Sequence, residues 1–298
     1  MNEMTRRDFA GGASALVAAL ASSRAFAGAD DSKDGLKVRF LGTGAADWYV
    51  PDPSTLKERR RFASILVEGG TLVDFTKFSK DMIPEGCRPE AIFYTHSHGD
   101  HYDVRAALDL GVKRVYCHES WVDDARREFA AVAKGRPMPT IRGMSFGEQV
   151  VENGVTFMSL PANHVARSKE HCSMYLLEKG ATRLLYATDT GGIPGEAARL
   201  VGIDAHVQPG KPITALVMEA TMGIGRPDDF RLFVHSSVET VHQAVRVLTT
   251  TGRYRPPEGQ KVYLTHMART LHGSHEEIAK TAPSPLVPAY DGLEVVFG

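Results

Sequence analysis

The sequence predicts a mixed α/β protein, and three features of its 298 residues support this fold class. Short apolar runs rich in β-branched and aromatic residues alternate with stretches that have the polarity pattern of amphipathic helices. Several of the short runs are joined by tight turns, which indicates hairpins and therefore sheets of mixed strand direction. No Pro-, Gly- or Ser-rich linker interrupts residues 36–298, so we expect them to form one domain.

The first half of the chain alternates predicted strands and helices. A strand begins at Leu36 and runs into the Gly-rich turn of LKVRFLGTGAA. Two strands surround Gly69-Gly70 in FASILVEGGTLVDF, because a glycine pair between apolar runs is typical of a hairpin. The continuously apolar run AIFYT predicts a strand buried on both faces. A helix that closes at Gly111 follows, and then come a strand in KRVYCH and a helix in ESWVDDARREFAAVAKG.

The second half continues this alternation. Strands are predicted at residues 155–160, 173–178, 183–188, 215–219 and 261–265, and a last strand in LEVVF. A helix is predicted at about residues 237–250, where Ser236 or Ser237 would be the N-cap and Glu239 would lie in the first turn.

Charge and cysteine content exclude several classes of protein. Lys and Arg number 35 against 36 Asp and Glu, so the net charge of −1 gives no basic field for nucleic acid or an anionic membrane surface. We therefore expect no stable nucleic-acid or membrane partner. The cysteines, Cys87, Cys117 and Cys172, are three in number and far apart, which predicts neither a disulfide framework nor a cysteine-based zinc finger.

The first 29 residues resemble a twin-arginine export signal. Its features are Arg6 and Arg7, Phe9, an apolar small-residue stretch at 11–21, and the sequence Ala25-Phe26-Ala27. The apolar stretch is too short to span a membrane, and a plain N-terminal helix would not explain the cleavage-like Ala-Phe-Ala. We expect the twin-arginine machinery to export the folded protein, whose mature chain would begin near Gly28 or Asp30 and be periplasmic or secreted.

A cluster of metal-binding residue types follows the predicted strand in AIFYT. The stretch YTHSHGDHYD contains the ligand candidates His96, His98, Asp100 and His101. Imidazole and carboxylate groups suit zinc and neighbouring divalent transition metals. Imidazoles crowded in this way repel one another when protonated, unless a metal or carboxylates organise them. The spacing therefore predicts a metal site in this turn.

Three more candidates lie at the ends of later predicted strands. His164 follows the strand at 155–160, Asp189 the strand at 183–188, and His266 the strand at 261–265. Each of them alone is more typical of a turn or a cap. Together they repeat the placement of the first cluster, and seven ligand candidates are enough for two metal ions.

This order of motifs resembles the metallo-β-lactamase fold superfamily over the whole predicted domain. The resemblance implies a four-layer αββα sandwich with mixed sheets and two divalent metal ions at one edge. It implies that His96, His98 and His164 hold one ion, that Asp100, His101 and His266 hold the other, and that Asp189 bridges them. The ions would be Zn²⁺, with Mn²⁺ or iron as alternatives, because a His/Asp ligand set accepts all three. The implied chemistry is hydrolysis.

Further residues resemble the phosphodiesterase branch of that superfamily, which includes ribonuclease Z and cyclic phosphodiesterases. They are the Gly42–Gly44 turn, Glu219-Ala220-Thr221, His235-Ser236-Ser237, the late LTH and the terminal YDGLEV. The resemblance implies that His235 donates a proton to the leaving alkoxide with support from Glu219, and that Asp100 belongs to the catalytic set. Met218 stands where the ribonuclease motif has His, and no basic arm for transfer RNA is evident.

The function expected from this resemblance is hydrolysis of a small or cyclic phosphodiester, and two alternatives stay open. One is hydrolysis of a lactone, β-lactam or other acyl compound by the same metal centre. The other is a non-hydrolytic accessory role, as in the pyrroloquinoline quinone biosynthesis member. We expect a small, anionic substrate, for which the basic run at 57–62 is either a binding site or a solvated loop. Trp48 and Tyr49 would form an aromatic wall for a substrate ring or pack internally, and a homodimer stays open.

Overall fold

Two mixed seven-stranded sheets dominate the computed structural model, which describes residues 35–50, 54, 56–204, 210–226 and 229–298. The predicted export signal lies outside these residues. The first sheet contains β1 (Leu36–Gly42), β2 (Ser64–Val67), β3 (Thr71–Val73), β4 (Ala91–Phe93), β5 (Arg114–His118), β6 (Thr140–Met144) and β14 (Glu294–Phe297), in the order β14-β1-β2-β3-β4-β5-β6. The second contains β7 (Gln149–Glu152), β8 (Val155–Pro161), β9 (Ser173–Lys179), β10 (Thr182–Ala187), β11 (Ala215–Glu219), β12 (Val262–Thr265) and β13 (Leu286–Pro288), in the order β13-β12-β11-β10-β9-β8-β7.

Helices cover the outer face of each sheet. The first sheet packs against α1 (Val104–Leu110) and α2 (Val122–Ala133), and the second packs against α3 (Gly195–Leu200), α4 (Val238–Thr250) and α5 (His275–Thr281). The result is the predicted four-layer αββα sandwich. No helix in the described ranges is both long and apolar enough to cross a membrane.

The strand residues alternate between two apolar layers, as the two-residue period of a strand requires. In β2, Ile65 points into the core between the sheets, whereas Leu66 points to the layer under α1 and α2. Phe93 of β4 stacks on Phe157 of β8 with 4.2 Å between ring centroids, and so joins the two inner faces. An aromatic pair of this kind contributes about 0.5–1.5 kcal/mol beyond the apolar area it buries.

The two ends of the described chain meet in the first sheet. β14 pairs antiparallel with β1, so that Phe297 lies opposite Leu36. β14 is one of the two edge strands of this sheet and β1 is its neighbour. The last residues of the chain are therefore part of the sheet that begins the fold.

Most of the predicted elements are present, and the cysteines are free, as expected. The prediction missed α5, although Ser274 and Glu277 form a capping box that the sequence Ser-x-x-Glu signals. It also missed α3, β6, β7 and β13, which are short. Ser237 rather than Ser236 is the N-cap of α4.

The prediction for the basic run at 57–62 was wrong for Arg60, because this residue is buried. Its Nη1 donates to Oγ1 of Thr43 and to the carbonyl oxygen of Ala289, each at 2.7 Å. Its Nη2 lies 3.1 Å from Nδ1 of His275. Burial lowers the pKa of Arg60. This side chain joins distant parts of the chain and is not free to bind an anion, whereas Arg59 beside it is exposed.

Candidate metal centre

The His96–His101 turn begins three residues after the end of β4 and leads into α1. The carbonyl oxygen of His98 accepts hydrogen bonds from the backbone of His101 and Tyr102, each at 2.9 Å, so the turn closes on itself. Asp103 caps α1 by accepting from the backbone N–H of Ala106 at 3.0 Å. The turn is therefore held at both ends, and its imidazoles are directed inward.

The other ligand candidates follow strands of the second sheet. β8, β10 and β12 run in the same direction, since β9 is antiparallel to both β8 and β10 and the others pair in parallel. Their carboxyl ends therefore lie at one edge, which brings together His164, Asp189 and His266. Asp189 and His266 have φ angles of 48° and 50°, in the left-handed region that non-glycine residues seldom occupy. Such backbone strain is concentrated at functional sites.

One group of three imidazoles forms the first half of the centre. Nδ1 of His98 lies 3.0 Å from Nε2 of His96 and 3.3 Å from Nε2 of His164. The second half combines two imidazoles with a carboxylate. Oδ2 of Asp100 lies 3.4 Å from Nε2 of both His101 and His266. Each half has three ligand atoms close enough to share one ion.

Asp189 lies between the two halves. Its Oδ2 is 3.0 Å from Nε2 of His101 and 3.2 Å from Nε2 of His266, whereas its Oδ1 is 3.7 Å from Nε2 of His164. The carboxylate thus presents one oxygen to each group. This is the geometry that a bridging ligand needs.

The hydrogen bonds of the imidazoles fit a metal centre. Nδ1 of His164 faces the carbonyl oxygen of Val234 at 3.2 Å, so this nitrogen carries the proton and Nε2 has the free lone pair. Nδ1 of His101 likewise donates to Asp74 at 2.7 Å. Nε2 of His101 is buried and faces Oδ2 of Asp189 and of Asp100 at 3.0 and 3.4 Å, but neither contact has the alignment of a hydrogen bond. A cation satisfies such inward lone pairs, which is why ligand histidines commonly donate their second N–H to an oxygen.

Two threonines extend this arrangement. Oγ1 of Thr95 donates to Asp74 at 2.8 Å, and its lone pair then accepts from Nδ1 of His96 at 3.0 Å. Oγ1 of Thr221 donates to Glu219 at 2.6 Å and accepts from Nδ1 of His266 at 2.9 Å. A buried carboxylate and a hydroxyl therefore fix the ring orientation of one ligand candidate in each half.

The charges of the centre shift the pKa values of its groups in opposite directions. Burial lowers the pKa of His96 well below its usual value. Burial also acts to lower the pKa of His101, but the charges of Asp189, Asp100 and Asp74 hold it well above that value. Burial would raise the pKa of Asp189, yet the neighbouring His266 and His101 hold it well below its usual range. Asp189 is therefore ionised, as a metal ligand must be.

His235 lies beside the centre and is oriented by a buried carboxylate. Its Nδ1 is 3.1 Å from Oε1 of Glu219 and 3.9 Å from Oδ1 of Asp189. Burial lowers the pKa of His235, but the hydrogen bond and charge of Glu219 outweigh it, and the pKa is about 9. Ser236 ties the same segment to the Asp189 loop, because its Oγ donates to the carbonyl oxygen of Thr190 at 2.8 Å.

A cavity of about 230 Å³ opens onto the centre. Ligand candidates from both halves line it together with His235. Arg231 is the only Lys or Arg in its described lining. Nη1 of Arg231 lies 3.1 Å from both carboxylate oxygens of Asp229, which holds the guanidinium in place. The cavity therefore combines a metal-ligand cluster with a fixed positive charge.

The structure brings together all seven predicted ligand candidates, and Glu219 and His235 lie next to them. Sequence reasoning missed Asp74, Thr95 and Arg231, and it named Thr221 only as part of the Glu219-Ala220-Thr221 motif. Asp74 follows β3 directly, as the other candidates follow their strands, and its φ of 55° is also left-handed. His272 is half-buried, and its Nε2 lies 2.6 Å from the carbonyl oxygen of Ala220.

Trp48, Tyr49 and two further histidines lie outside the ligand cluster. Trp48 packs internally, since its Nε1 donates to the carbonyl oxygen of Met267 at 2.7 Å, while Tyr49 is mostly exposed. His118 contacts Phe146 and His171 rather than any ligand candidate. Neither histidine therefore orients a ligand of the centre.

Comparison with known proteins places this centre in a family. Residues 77–267 match the family model described as beta-lactamase superfamily domain. No curated protein sequence matches the chain. The similarities found are to this family model and to solved structures.

Three solved structures have the same fold, and each match covers most of this chain and nearly the whole of the other chain. A diphosphatase of the PhnP family is 23% identical, with a TM-score of 0.59, and the match covers 88% of this chain and 98% of that one. The zinc-bound PqqB of Methylobacterium extorquens is 17% identical, with a TM-score of 0.63 and coverages of 87% and 99%. The short form of human tRNase Z is 16% identical, with a TM-score of 0.60 and coverages of 88% and 99%. At these identities the likeness establishes the fold.

Proposed function

The chain belongs to the beta-lactamase superfamily, and on that basis we propose that it is a metal-dependent hydrolase of small anionic phosphodiesters. His96, His98 and His164 would hold one divalent ion, Asp100, His101 and His266 the other, and Asp189 would bridge them. Nitrogen and carboxylate ligands favour Zn²⁺, with Mn²⁺ or iron as alternatives. When bound, such ions supply Lewis-acid chemistry by lowering the pKa of water and neutralising charge on a phosphoryl oxygen.

The single observation that carries the phosphodiester proposal is the pairing of His235 with Glu219. A phosphodiester with an alkoxide leaving group needs a proton on the departing oxygen. Nδ1 of His235 is held by a carboxylate that is itself buried, and its ring lies against the cavity. The pairing orients the ring so that Nε2 is free to donate that proton.

Arg231 supports an anionic substrate. Its Nη1 is engaged by Asp229, but within the described ranges no hydrogen bond to its Nε or Nη2 is found. A guanidinium presents its donors in a planar fork that matches the oxygens of a phosphate. The fixed cation therefore lies where it can bind a non-bridging oxygen of the ester.

The test uses purified protein loaded with Zn²⁺ or Mn²⁺ and three substrates: bis(p-nitrophenyl) phosphate, a γ-lactone and a β-lactam. We expect metal-dependent turnover of the diester with a kcat/KM at least about 100-fold above that of either acyl compound. Preferred turnover of the lactone or the β-lactam would replace the proposal by acyl hydrolysis. Tight binding of a small molecule without turnover of any of the three would favour the accessory role.

We also propose export by the twin-arginine machinery, for which the support is the sequence of residues 1–29. The test is fractionation of cells that express the full chain or an Arg6→Lys, Arg7→Lys variant. We expect the first in the periplasm or the medium and the second in the cytoplasm. Equal distribution of the two chains would remove the proposal.

A further inference from the structure

The segment Asp229–Val234, here named the lip, carries two unusually exposed aromatic rings beside the metal centre. Phe233 is 80% exposed and Phe230 is 71% exposed, which are the highest values among the large apolar side chains of the described residues. The two rings belong to a single turn of 3-10 helix, Phe230–Phe233. Residues three apart are eclipsed in this helix, so both rings face the same side. Exposed apolar rings on one side of a turn are typical of a binding surface.

The lip is fixed to the metal centre by its backbone. The amide of His235 donates to the carbonyl oxygen of Arg231 at 2.7 Å. The carbonyl oxygen of Phe233 accepts from the side chain of Asn163 at 3.0 Å, and that of Val234 faces the ring of His164 at 3.2 Å. A group held on the lip is therefore held at a set distance from the ligand candidates.

Arg231 connects the rings to the cavity. Its guanidinium carbon lies 4.8 Å from the centre of the Phe230 ring, and the same side chain lines the cavity over the metal centre. A ligand bound through an anionic group at Arg231 and the metal centre would extend toward Phe230 as it leaves the cavity. The adjoining surface is also apolar, because Val165, next to His164, is 69% exposed.

We propose that the lip binds a flat aromatic ring in the part of the substrate that does not react, so that the substrates are aryl or nucleoside phosphodiesters. This inference rests on the proposed function for the position of the phosphate. Two exposed phenylalanines offer a planar ring an apolar face, and ring contacts of this type add to the area they bury. An alkyl phosphate of the same charge would gain the contacts of Arg231 and the metal centre, but not those of the two rings.

A binding experiment tests the lip without any turnover. Zinc-loaded full-length protein is titrated in a calorimeter with phenylphosphonate and with methylphosphonate, which share their charge and differ in the ring. We expect the wild type to bind phenylphosphonate about tenfold more tightly, and Phe230→Ala with Phe233→Ala to remove most of that difference. Val151→Ala, at a residue 67% exposed on β7, is the control that should keep the wild-type ratio.

A kinetic experiment uses two diesters with the same leaving group, bis(p-nitrophenyl) phosphate and methyl p-nitrophenyl phosphate. We expect the double variant to lower the ratio of their kcat/KM values about tenfold, mainly through KM. An unchanged ratio in both experiments would overturn the inference while leaving the hydrolase proposal intact. If the double variant lost binding to phosphatidylglycerol vesicles while both ratios stayed unchanged, the lip would be a membrane-binding surface. That result would also overturn the inference. If no diester were hydrolysed, a change in the ratio of the two phosphonate affinities in the double variant would still support binding of an aromatic ring by the lip.

Discussion

Oδ2 of Asp74 lies 2.7 Å from Nδ1 of His101, so a carboxylate of the first sheet sets the proton position on a ligand candidate. The same carboxylate accepts from the backbone and hydroxyl of Thr95, each at 2.8 Å, and Thr95 in turn orients His96. Asp74 therefore acts on both halves of the metal centre although it lies behind the ligands. It is fully buried, so solvent cannot replace it.

The substitution Asp74→Asn should weaken metal binding about 10–100-fold. An amide NH₂ in place of Oδ2 cannot accept the Nδ1 proton of His101, so the ring would carry its proton on Nε2, where no ligand lone pair then remains. Competition with a zinc-binding dye measures the change. Asp81→Asn is the matched control, because Asp81 pairs with Arg61 and is mostly exposed. Equal affinities for wild type and Asp74→Asn would contradict this role.

Removing one ligand candidate from either half should lower the metal content of the protein by about one ion. We expect His98→Ala and His266→Ala each to reduce the bound metal from about two ions per chain to about one, with at least a 1,000-fold loss of kcat/KM. Metal analysis of the dialysed proteins measures the first effect. His171→Ala, at an exposed residue, should keep both ions. Two ions retained by either ligand variant would mean that these residues do not bind metal.

The substitution His235→Ala should affect substrates according to their leaving group. We expect kcat for an alkyl phosphodiester to fall about 100–10,000-fold, whereas kcat for a p-nitrophenyl ester should fall far less, since nitrophenolate departs without a proton. Parallel assays of the two substrates with the same enzyme preparation measure this difference. Losses of equal size would remove the role of His235 as proton donor.

The buried Arg60 should contribute to stability rather than to substrate binding. Arg60→Ala leaves Oγ1 of Thr43 and the carbonyl oxygen of Ala289 without a charged donor, so we expect the free energy of unfolding to fall by about 2–4 kcal/mol. Urea unfolding followed by circular dichroism measures it. Arg59→Ala, one residue earlier and exposed, should change it by less than about 0.5 kcal/mol. A similar effect of both substitutions would disprove the structural role of Arg60.

Local rules were enough to predict much of the fold and the ligand cluster. Apolar runs located most strands, and the placement of His164, Asp189 and His266 at strand ends located the second half of the centre. The same rule would have found Asp74, but a lone aspartate after LV has no neighbouring ligand in sequence to set it apart. Arg60 could not be classified in this way, because its partner Ala289 lies far away in the chain. Arg231 could not be classified either, because the cavity that it lines is built from distant segments of the chain.

The pairing of β14 with β1 has a consequence for biosynthesis. While residues 294–297 are still inside the ribosome, the nascent chain contains β1 without its outer partner, and the backbone groups of β1 stay open to other strands. The first sheet is complete only after residues 294–297 have left the exit tunnel. A prematurely terminated product would therefore expose β1 as an aggregation site, even though every metal ligand candidate had already been synthesised.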